Sequence, residues 1–439
     1  MQWSLRREQE HIEEWRGVRL SGKVTHIIGL LIESMGPAVA VGEVCGIHSS
    51  DGSYILAEVV GFKDQKVLLM PIGEMGRIAP GAEVRPTGAI HQVKVSECLA
   101  GRILDALGNP IDGKGPVHVQ AYYPVSAPPP NALTRMRVTE KLVTGIKSLD
   151  ATCTAGKGQR FGIFSGSGVG KSTLIGMIAK MSSADINVIA LIGERGREVR
   201  EFLEKDLGPE GLERSVVVVA TSDQAALLRT KGASVATAIA EYFRDLGKNV
   251  VLMMDSITRY AMALREIGLA IGEPPTTKGY TPSVFAQLPK LLERAGNSDR
   301  GSITGIYSIL TEGDDLHDPI AETVRSILDG HIVLSRKLAT SNHYPAVSVL
   351  ESLSRVMPDI VSEEEMYRAG KLRDLLQVYK EAEDLINIGA YQSGSSQSID
   401  CAIAFIDKIQ EFLKQKSSER FLYEETQEQL KGIIDAAMK

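Results

Sequence analysis

The middle of the chain repeats one pattern of hydrophobic and polar positions. A short run that is apolar at almost every position is followed by a longer segment with helical spacing, as in residues 172–181 and 225–246. Short apolar runs are typical of strands buried on both faces, and their alternation with helices is typical of a parallel sheet covered by helices. The pattern therefore predicts an α/β fold with a parallel sheet. The predicted strands are residues 161–164, 188–192, 216–220, 250–254 and 303–310.

The pattern is different on the N-terminal side of this region. Short runs rich in β-forming residues are separated by turn signals such as Gly36-Pro37 and Pro80-Gly81. Evenly spaced short strands with glycine and proline between them are typical of a small β-barrel. The predicted barrel strands are residues 22–28, 39–41, 54–62 and 66–69.

The C-terminal part of the chain has a helical pattern. Leu372, Leu376 and Ile386 belong to one series of apolar residues at helical spacing, and a second series covers residues 399–413. The polar segment YQSGSS at 391–396 separates the two and is predicted to be a loop. These features predict a helical domain at the C-terminus.

These changes of pattern divide the chain into four parts. They are a leader at 1–16, a β-barrel domain at 17–94, an α/β domain at 95–358 and a helical domain at 359–439. The leader is dense in charge and carries both tryptophans, Trp3 and Trp15. It is either a solvated extension or an amphipathic helix that binds a partner. Because exposed aromatic residues often mark interfaces, we predict a partner-binding leader.

Composition excludes several classes of protein. The four cysteines are scattered without metal-binding spacing, which is typical of a reducing cytosol rather than of a secreted disulfide scaffold. The longest apolar runs are far shorter than the ~20 residues that span a bilayer. A net charge of −6 gives no general attraction for nucleic acid or for an anionic membrane. We therefore expect a cytoplasmic protein.

The strongest chemical signal is the segment SGSGVGKS at 165–172, which follows a predicted strand and opens a predicted helix. That context is what a phosphate-binding loop requires, because glycines let backbone N–H groups converge on phosphate oxygens and the helix start favours negative charge. The Lys171 ammonium then contacts the β- and γ-phosphates, and the Ser172 hydroxyl is a ligand for Mg²⁺. The segment predicts binding of ATP with Mg²⁺. The predicted nucleotide-binding residues here are Ser165, Gly166, Ser167, Gly168, Val169, Gly170, Lys171, Ser172 and Thr173.

Two carboxylates follow other predicted strands. Asp255 comes directly after the run 250–254, and Glu194 comes two residues after the run 188–192. The carboxyl ends of parallel strands meet at one edge of a sheet, so both side chains are expected beside the phosphates. An Asp at this place in P-loop enzymes holds the Mg²⁺ shell. Hydrolysis also needs a group that polarises water, and Glu194 is the predicted catalytic carboxylate.

Together these motifs resemble the catalytic chains of the rotary ATPase superfamily, and most nearly its flagellar and type III secretion export ATPases. The resemblance extends from about residue 20 to the C-terminus. It implies an N-terminal β-barrel, a RecA-like P-loop core and a C-terminal helical domain, assembled as a homohexamer. The segments that carry it are SGSGVGKS (165–172), IGERGREVREF (192–202), MMDSITRYAMALREIG (253–268), GYTPSVFAQLPKLLERAG (279–296) and YPAVSVLESLSRV (344–356).

The resemblance also assigns roles to four more residues. Arg195 and Arg259 match arginines of the active site, and Tyr344 matches the aromatic residue that stacks on adenine. Arg355 matches the arginine finger that a neighbouring subunit inserts to stabilise the transition state. Simpler interpretations remain open, in which Arg259 pairs with a carboxylate, Tyr344 is a core aromatic and Arg355 forms a surface ion pair. The expected catalytic residues are Lys171, Glu194, Arg195, Arg259 and Arg355, and the expected metal-site residues are Ser172 and Asp255.

The function implied by the resemblance is that of an ATPase in a flagellar or type III protein export apparatus, which releases export substrates from chaperones and promotes their secretion. Its implied partners are a regulatory stator-like protein at the N-terminus, a central stalk protein, chaperone–substrate complexes and a membrane export gate. The protein would then be cytoplasmic and peripherally associated with the inner membrane. The flagellar and injectisome branches share these motifs.

Two alternative functions stay open. The catalytic subunit of an ion-translocating rotary ATP synthase shares the fold and the site, but Ser165 and the segment 276–296 fit it less well. A RecA-like hexameric RNA helicase is a protein of a different class. The acidic net charge and the lack of an aromatic and basic stripe in the predicted barrel count against it, so no nucleic-acid partner is expected.

Overall fold

The computed structural model describes residues 20–48, 52, 54–133, 135–311 and 318–438. The partner-binding leader predicted over residues 1–16 lies outside these residues. Within the described part of the chain, no helix combines the length and the apolar character needed to cross a membrane. Three units follow one another: a closed barrel, a sheet covered by helices, and a bundle of helices.

Six antiparallel strands near the N-terminus form the closed barrel. They are β1 (Gly22–Ile28), β2 (Leu31–Met35), β3 (Glu43–His48), β4 (Tyr54–Lys63), β5 (Lys66–Pro71) and β6 (Glu83–Ile90). Around the barrel they follow the order β1-β2-β5-β4-β3-β6. Apolar side chains from these strands, including Ile32, Ile47 and Leu69, fill its interior. The predicted β-barrel is confirmed.

One of the predicted barrel strands is wrong. Residues 39–41 are not a strand, and the strand in this part of the chain begins at Glu43. The intervening Gly42 has a φ of +88°, which is a turn conformation, so the chain turns before pairing begins. Strand β6 was not predicted because it contains Pro86 and most of its side chains are exposed, which removes the usual alternation of apolar and polar positions.

The remaining strands follow the barrel along the chain. They are β7 (Gln92–Val95), β8 (Ile103–Leu104), β9 (Ala121–Pro124), β10 (Lys141–Leu142), β11 (Ala155–Gly156), β12 (Arg160–Ser165), β13 (Ile186–Glu194), β14 (Ser215–Thr221), β15 (Asn249–Asp255), β16 (Gly296–Asn297), β17 (Ser302–Leu310), β18 (Gly330–Val333) and β19 (Leu353–Ser354). Nine of them form one sheet in the order β19-β18-β12-β17-β15-β13-β14-β8, with β16 paired to β17. All neighbours in this sheet are parallel except the pairs that involve β16 and β19.

The long strands of this sheet are buried on both faces. Every residue of β13 is buried, and alternate side chains enter two different apolar clusters. Val188 and Ile192 belong to one cluster, and Ile189 and Leu191 belong to the other. Two-sided burial is the reason why these strands read as continuous apolar runs. The predicted α/β fold with a parallel sheet is confirmed.

Helices cover both faces of the sheet and continue to the C-terminus. They are α1 (Lys147–Thr152), α2 (Lys171–Met181), α3 (Gly196–Glu201), α4 (Gly208–Glu213), α5 (Ala226–Asp245), α6 (Ile257–Ile271), α7 (Pro282–Leu292), α8 (Pro319–Ile327), α9 (Arg336–Thr340), α10 (Met357–Ile360), α11 (Glu363–Asn387), α12 (Gln397–Leu413) and α13 (Tyr423–Ala437). A π-helical segment, Phe202–Leu207, joins α3 to α4, and 3₁₀ turns occur at Glu97–Leu99 and Thr277–Gly279.

The last three helices, α11 to α13, form the C-terminal bundle. Their side chains pack around Leu372, Ile409 and Leu430. Ala151 and Val349 of the α/β domain belong to the same apolar cluster, so the bundle is packed directly on that domain. The predicted helical domain is confirmed, although its third helix was not recognised in the sequence.

Candidate nucleotide-binding site

An open cavity of about 790 Å³ lies at the carboxyl edge of the central sheet. Residues at or just beyond the ends of neighbouring parallel strands line it, among them Glu194 of β13, Asp255 of β15 and Leu310 of β17. Ligands of open α/β sheets bind in such crevices, so this cavity is the candidate site. Its lining includes eleven residues expected from the sequence: Gly166, Ser167, Gly168, Gly170, Lys171, Ser172, Thr173, Glu194, Arg195, Asp255 and Arg259.

The loop between β12 and α2 has the backbone of a phosphate cradle. Gly168 and Gly170 have φ values of +75° and +93°, a region that other residues rarely adopt. A Cβ atom at Gly168 would meet no atom within 4 Å, so a ligand has free access to the backbone there. Helix α2 begins at Lys171, directly after the loop. Its unpaired N–H groups and positive dipole end therefore lie at the cavity.

The side chains of Lys171 and Asp255 meet inside the cavity. The Lys171 Nζ lies 2.5 Å from Oδ1 of Asp255, and both side chains are almost fully buried. The Ser308 hydroxyl on β17 donates to the same oxygen at 2.7 Å. A lysine ammonium is a point charge on a flexible stem. The contact with Asp255 therefore keeps the positive charge of Lys171 beside the loop. The bonds from Lys171 and Ser308 in turn fix the position of the Asp255 carboxylate.

Glu194 ends β13 in a crowded polar environment. Arg259 on α6 donates to its Oε2 at 3.3 Å and to the carbonyl of Gly193. The pKa of Glu194 is raised to about 7. Burial is the largest cause, and the hydrogen bond with Glu198 and the negative charge of Asp255 add to it. The same hydrogen bond lowers the pKa of Glu198. A carboxylate with such a pKa is matched to proton transfer near neutral pH.

This raised pKa predicts an acid limb in the pH dependence of hydrolysis. A general base acts only when it is deprotonated, so kcat/KM is expected to fall as the pH drops through about 7. Changing Glu198→Gln removes the negative partner that stabilises the protonated Glu194, so the limb should move to lower pH. Glu201→Gln, on the exposed side of the same helix, is the control and should not move it. Identical acid limbs in all three proteins, measured as pH–rate profiles, would contradict the pairing of Glu194 with Glu198.

Three expected nucleotide-binding residues, Ser165, Val169 and Tyr344, are not among the described residues that line the cavity. Ser165 and Val169 are buried, and Val169 packs in the apolar core below α2. Tyr344 is 42% exposed, so it is not a core aromatic. A Cβ atom at Gly170 would lie 3.4 Å from the Cε1 atom of Tyr344, which means that the tyrosine ring lies against the phosphate loop.

Arg355 lies at the opposite edge of the sheet from the cavity. It follows β19, and its N–H donates to the carbonyl of Asp329, whose own N–H donates to the carbonyl of Arg160 at the start of β12. The phosphate loop begins at the far end of β12, after Ser165. At about 3.3 Å per residue, roughly 16 Å of strand β12 separates the end near Arg355 from the end where the phosphate loop begins. The Arg355 side chain is exposed and is not among the described residues that line the cavity of its own chain.

Sequence reasoning missed several residues that line the cavity, among them Glu198 and Arg336, and it missed Ser308, which is not part of the lining but bonds to Asp255. Ser308 and Glu198 each had a recognisable signal: Ser308 is a polar residue inside a buried apolar run, and Glu198 lies four residues after Glu194. Arg336 also lines the cavity, but it follows β18, a short strand containing glycine and histidine that the pattern did not reveal. Arg195 was expected and lines the cavity, with its exposed guanidinium 3.4 Å from a Glu198 carboxylate oxygen.

Three family models match the chain in the order of its structural units. The beta-barrel domain of the ATP synthase alpha/beta family matches residues 24–88. The nucleotide-binding domain of the same family matches residues 145–354. The C-terminal domain of the type III secretion ATPase EscN matches residues 361–432.

Similar proteins come from flagellar and from secretion systems. The flagellum-specific ATP synthase of Bacillus subtilis (strain 168) is 58% identical over 409 residues, which cover 92% of this chain and 93% of the relative. The type 3 secretion system ATPase of Xanthomonas euvesicatoria is 50% identical over 420 residues, which cover 95% of both. The solved structure of the assembled ATPase EscN with its central stalk EscO, from enteropathogenic E. coli, matches with a TM-score of 0.87 at 44% identity, covering 94% of this chain and 100% of that chain.

Identity at this level covers nearly the whole chain and includes its C-terminal bundle. The ion-translocating synthase and the RNA helicase are therefore not favoured. The phosphate cradle, the buried carboxylates and these relatives agree on an enzyme that binds and hydrolyses ATP. The chain belongs to the flagellar and type III secretion export ATPases of the ATP synthase alpha/beta family.

Proposed function

We propose that this enzyme drives a flagellar or type III protein export apparatus as a homohexameric ring. The position of Arg355 is the observation that carries the ring, because this side chain lies at the edge of the sheet away from its own cavity. An arginine that acts on phosphate must then come from a second chain. Each chain carries both a phosphate loop and an Arg355, so identical subunits complete every site in a closed ring. The related EscN structure is that of an assembled ATPase, which supports this proposal.

Mixed rings test the shared site. Glu194→Gln and Arg355→Ala subunits are each expected to be inactive alone, and activity regained after mixing supports a site built from two chains. Mixtures that assemble together but stay inactive would mean that Arg355 acts within its own chain or that the sites of a ring do not fire independently.

The bound nucleotide is expected to lie along the loop between β12 and α2. Backbone N–H groups of residues 166–171 would bind phosphate oxygens, and Lys171 would contact the β- and γ-phosphates. The ring of Tyr344, half-exposed beside Gly170, offers a flat surface for adenine. Ser172 and Asp255 would hold Mg²⁺, because a hydroxyl and a carboxylate oxygen are the hard donors that this ion prefers. Once bound there, the ion would neutralise negative charge on the phosphates.

Hydrolysis follows from the groups around the γ-phosphate. Glu194 would take a proton from the water that attacks phosphorus, while the bond from phosphorus to the bridging oxygen breaks and ADP leaves. Arg259 holds Glu194 in place through its contacts with the carboxylate and with the Gly193 carbonyl. The neighbouring chain's Arg355 would stabilise the charge on the equatorial oxygens, and Arg195 would add positive charge at the mouth of the cavity.

The other parts of the chain are proposed to bind partners. We keep the domain limits at 17–94, 95–358 and 359–439, and we assign chaperone–substrate complexes to the C-terminal bundle. No described residue of the bundle lines the cavity, and apolar side chains such as Tyr367 and Ile388 are exposed on it. The leader at 1–16 is proposed to bind a regulatory stator-like protein. A central stalk, as in the EscN complex, and a membrane export gate are the remaining proposed partners, which would hold the cytoplasmic enzyme at the inner membrane.

Exchange of segments with the Bacillus relative tests this division. Deleting the bundle would uncover the buried Ala151 and Val349, so replacement is preferable to truncation. A chimera that carries the relative's segment in place of 359–439 should prefer the relative's chaperone complexes to those that the unmodified protein binds. Its ATP affinity should be unchanged. A chimera exchanged at 1–16 is the reciprocal control and should change only the regulatory partner. Chaperone preference that stays with residues 17–358 would contradict the assignment.

A further inference from the structure

Arg373, on the first helix of the bundle, binds several backbone carbonyls of the α/β domain. Its guanidinium donates to the carbonyls of Thr152 at 2.9 Å, of Ser352 at 3.0 Å and of Val349, and it lies 3.2 Å from the sulfur of Cys153. All four of these partners are buried. A planar guanidinium places its five N–H donors on three nitrogens in a fixed fork, whereas lysine has a single ammonium nitrogen on a flexible stem and glutamine has only two N–H donors.

Two of these carbonyls belong to the turn that leads to Arg355. Ser352 is followed by the two residues of β19, and Arg355 comes next. The hydroxyl of Ser352 accepts the N–H of Val333 at 3.0 Å and donates to the carbonyl of Ser348 at 2.6 Å. The turn is thus held from the sheet on one side and from the bundle, through Arg373, on the other.

We propose that Arg373 is a positioning residue for Arg355. By fixing the carbonyls of Val349 and Ser352, it sets the place from which Arg355 reaches the cavity of the neighbouring chain. The inference rests on the trans role of Arg355 proposed above. Because Arg373 stands on α11, a partner that shifts the bundle would also shift Arg355. A misplacement of about 1 Å can cost about 10²-fold in rate, so a small shift has a measurable effect.

The first test compares two variants of contacts between α11 and the α/β domain. Arg373→Gln is expected to lower kcat of the assembled enzyme by about 10- to 10²-fold, without changing the ATP affinity of the isolated chain, since Arg373 does not line the cavity. The matched control is Lys141→Gln, which breaks the bond between Lys141 and Glu365 at 2.9 Å. This bond also joins α11 to the α/β domain but does not involve the turn before Arg355, so kcat should stay close to that of the unmodified protein.

The second test asks whether Arg373 acts through Arg355. Adding Arg373→Gln to Arg355→Ala should cause no further loss of turnover, measured by release of labelled phosphate. A general structural defect would lower the rate again by the factor seen with Arg373→Gln alone. ATP binding by each isolated chain reports folding, and Arg373→Lys replaces Arg373→Gln in the same comparison if the glutamine variant fails to bind.

The outcomes separate this inference from the proposed ring. Unchanged kcat in the Arg373 variant, or a full second loss in the Arg355→Ala background, would overturn the positioning role of Arg373 and leave the ring intact. Full activity of Arg355→Ala itself would instead overturn the trans role of Arg355, whatever Arg373 does.

Discussion

Arg355→Ala is expected to leave ATP binding by the isolated chain unchanged and to lower the turnover of the assembled enzyme by about 10³–10⁵-fold, the usual contribution of an arginine finger. Binding survives because the phosphate loop and the Lys171–Asp255 contact lie at the other edge of the sheet. Turnover is expected to fall because the variant lacks the positive charge that the proposed arginine finger brings to the equatorial oxygens of the transition state. The measurements are ATP affinity by equilibrium titration and phosphate release under conditions of assembly.

Mixing this variant with Glu194→Gln distinguishes a shared site from an internal one. A cavity is intact when an Arg355→Ala chain, with its own Glu194, faces a Glu194→Gln chain that supplies Arg355. Random mixing of equal amounts places about a quarter of the interfaces in that arrangement, so activity should rise to at most about a quarter of the unmodified value. Each variant mixed with itself is the control. Co-assembled mixtures that remain as slow as the separate variants would mean that Arg355 acts within its own chain or that sites in the ring do not fire independently.

The parts of the site that the sequence revealed are those at the ends of long buried strands. Glu194 and Asp255 follow runs that are apolar because both faces of the sheet are covered, so the runs and their ends could be recognised. The phosphate loop was recognised because its glycines and its lysine are consecutive. In each case the functional residue lies within a few positions of the motif or apolar run that reveals it, so a short stretch of sequence was enough to recognise it.

The parts that could not be predicted depend on contacts between distant segments. Ser308 approaches Asp255 only because β17 lies beside β15 in the sheet, an order that no local pattern contains. Arg373 meets Thr152 across 221 positions of sequence, and nothing near either residue indicates the contact. Strands β18 and β19 are too short to show periodicity, so the sequence did not place Arg355 at the edge of the sheet. The resemblance suggested a trans role for Arg355, and the fold supplies a geometric reason for it.

Glu194→Gln is the second change with a large expected effect. Glutamine has nearly the same shape as glutamate and can still accept a hydrogen bond from Arg259, but it cannot take a proton from water. Hydrolysis is therefore expected to fall by about 10²–10⁴-fold, the scale of a positioned general base. ATP affinity should be close to that of the unmodified enzyme, because the phosphate loop, Lys171 and Asp255 are untouched.

A shorter carboxylate separates the base from a purely structural role for Glu194. Glu194→Asp keeps the charge and the ability to accept a proton but draws the carboxylate back by one methylene. It should hydrolyse ATP more slowly than the unmodified enzyme and faster than Glu194→Gln, and it should retain an acid limb that the glutamine variant lacks. The comparison consists of kcat, ATP affinity and the pH profile for all three proteins. If glutamine and aspartate lower kcat equally, or if the loss of kcat is matched by a loss of ATP affinity, then Glu194 binds or supports the nucleotide and another group activates the water.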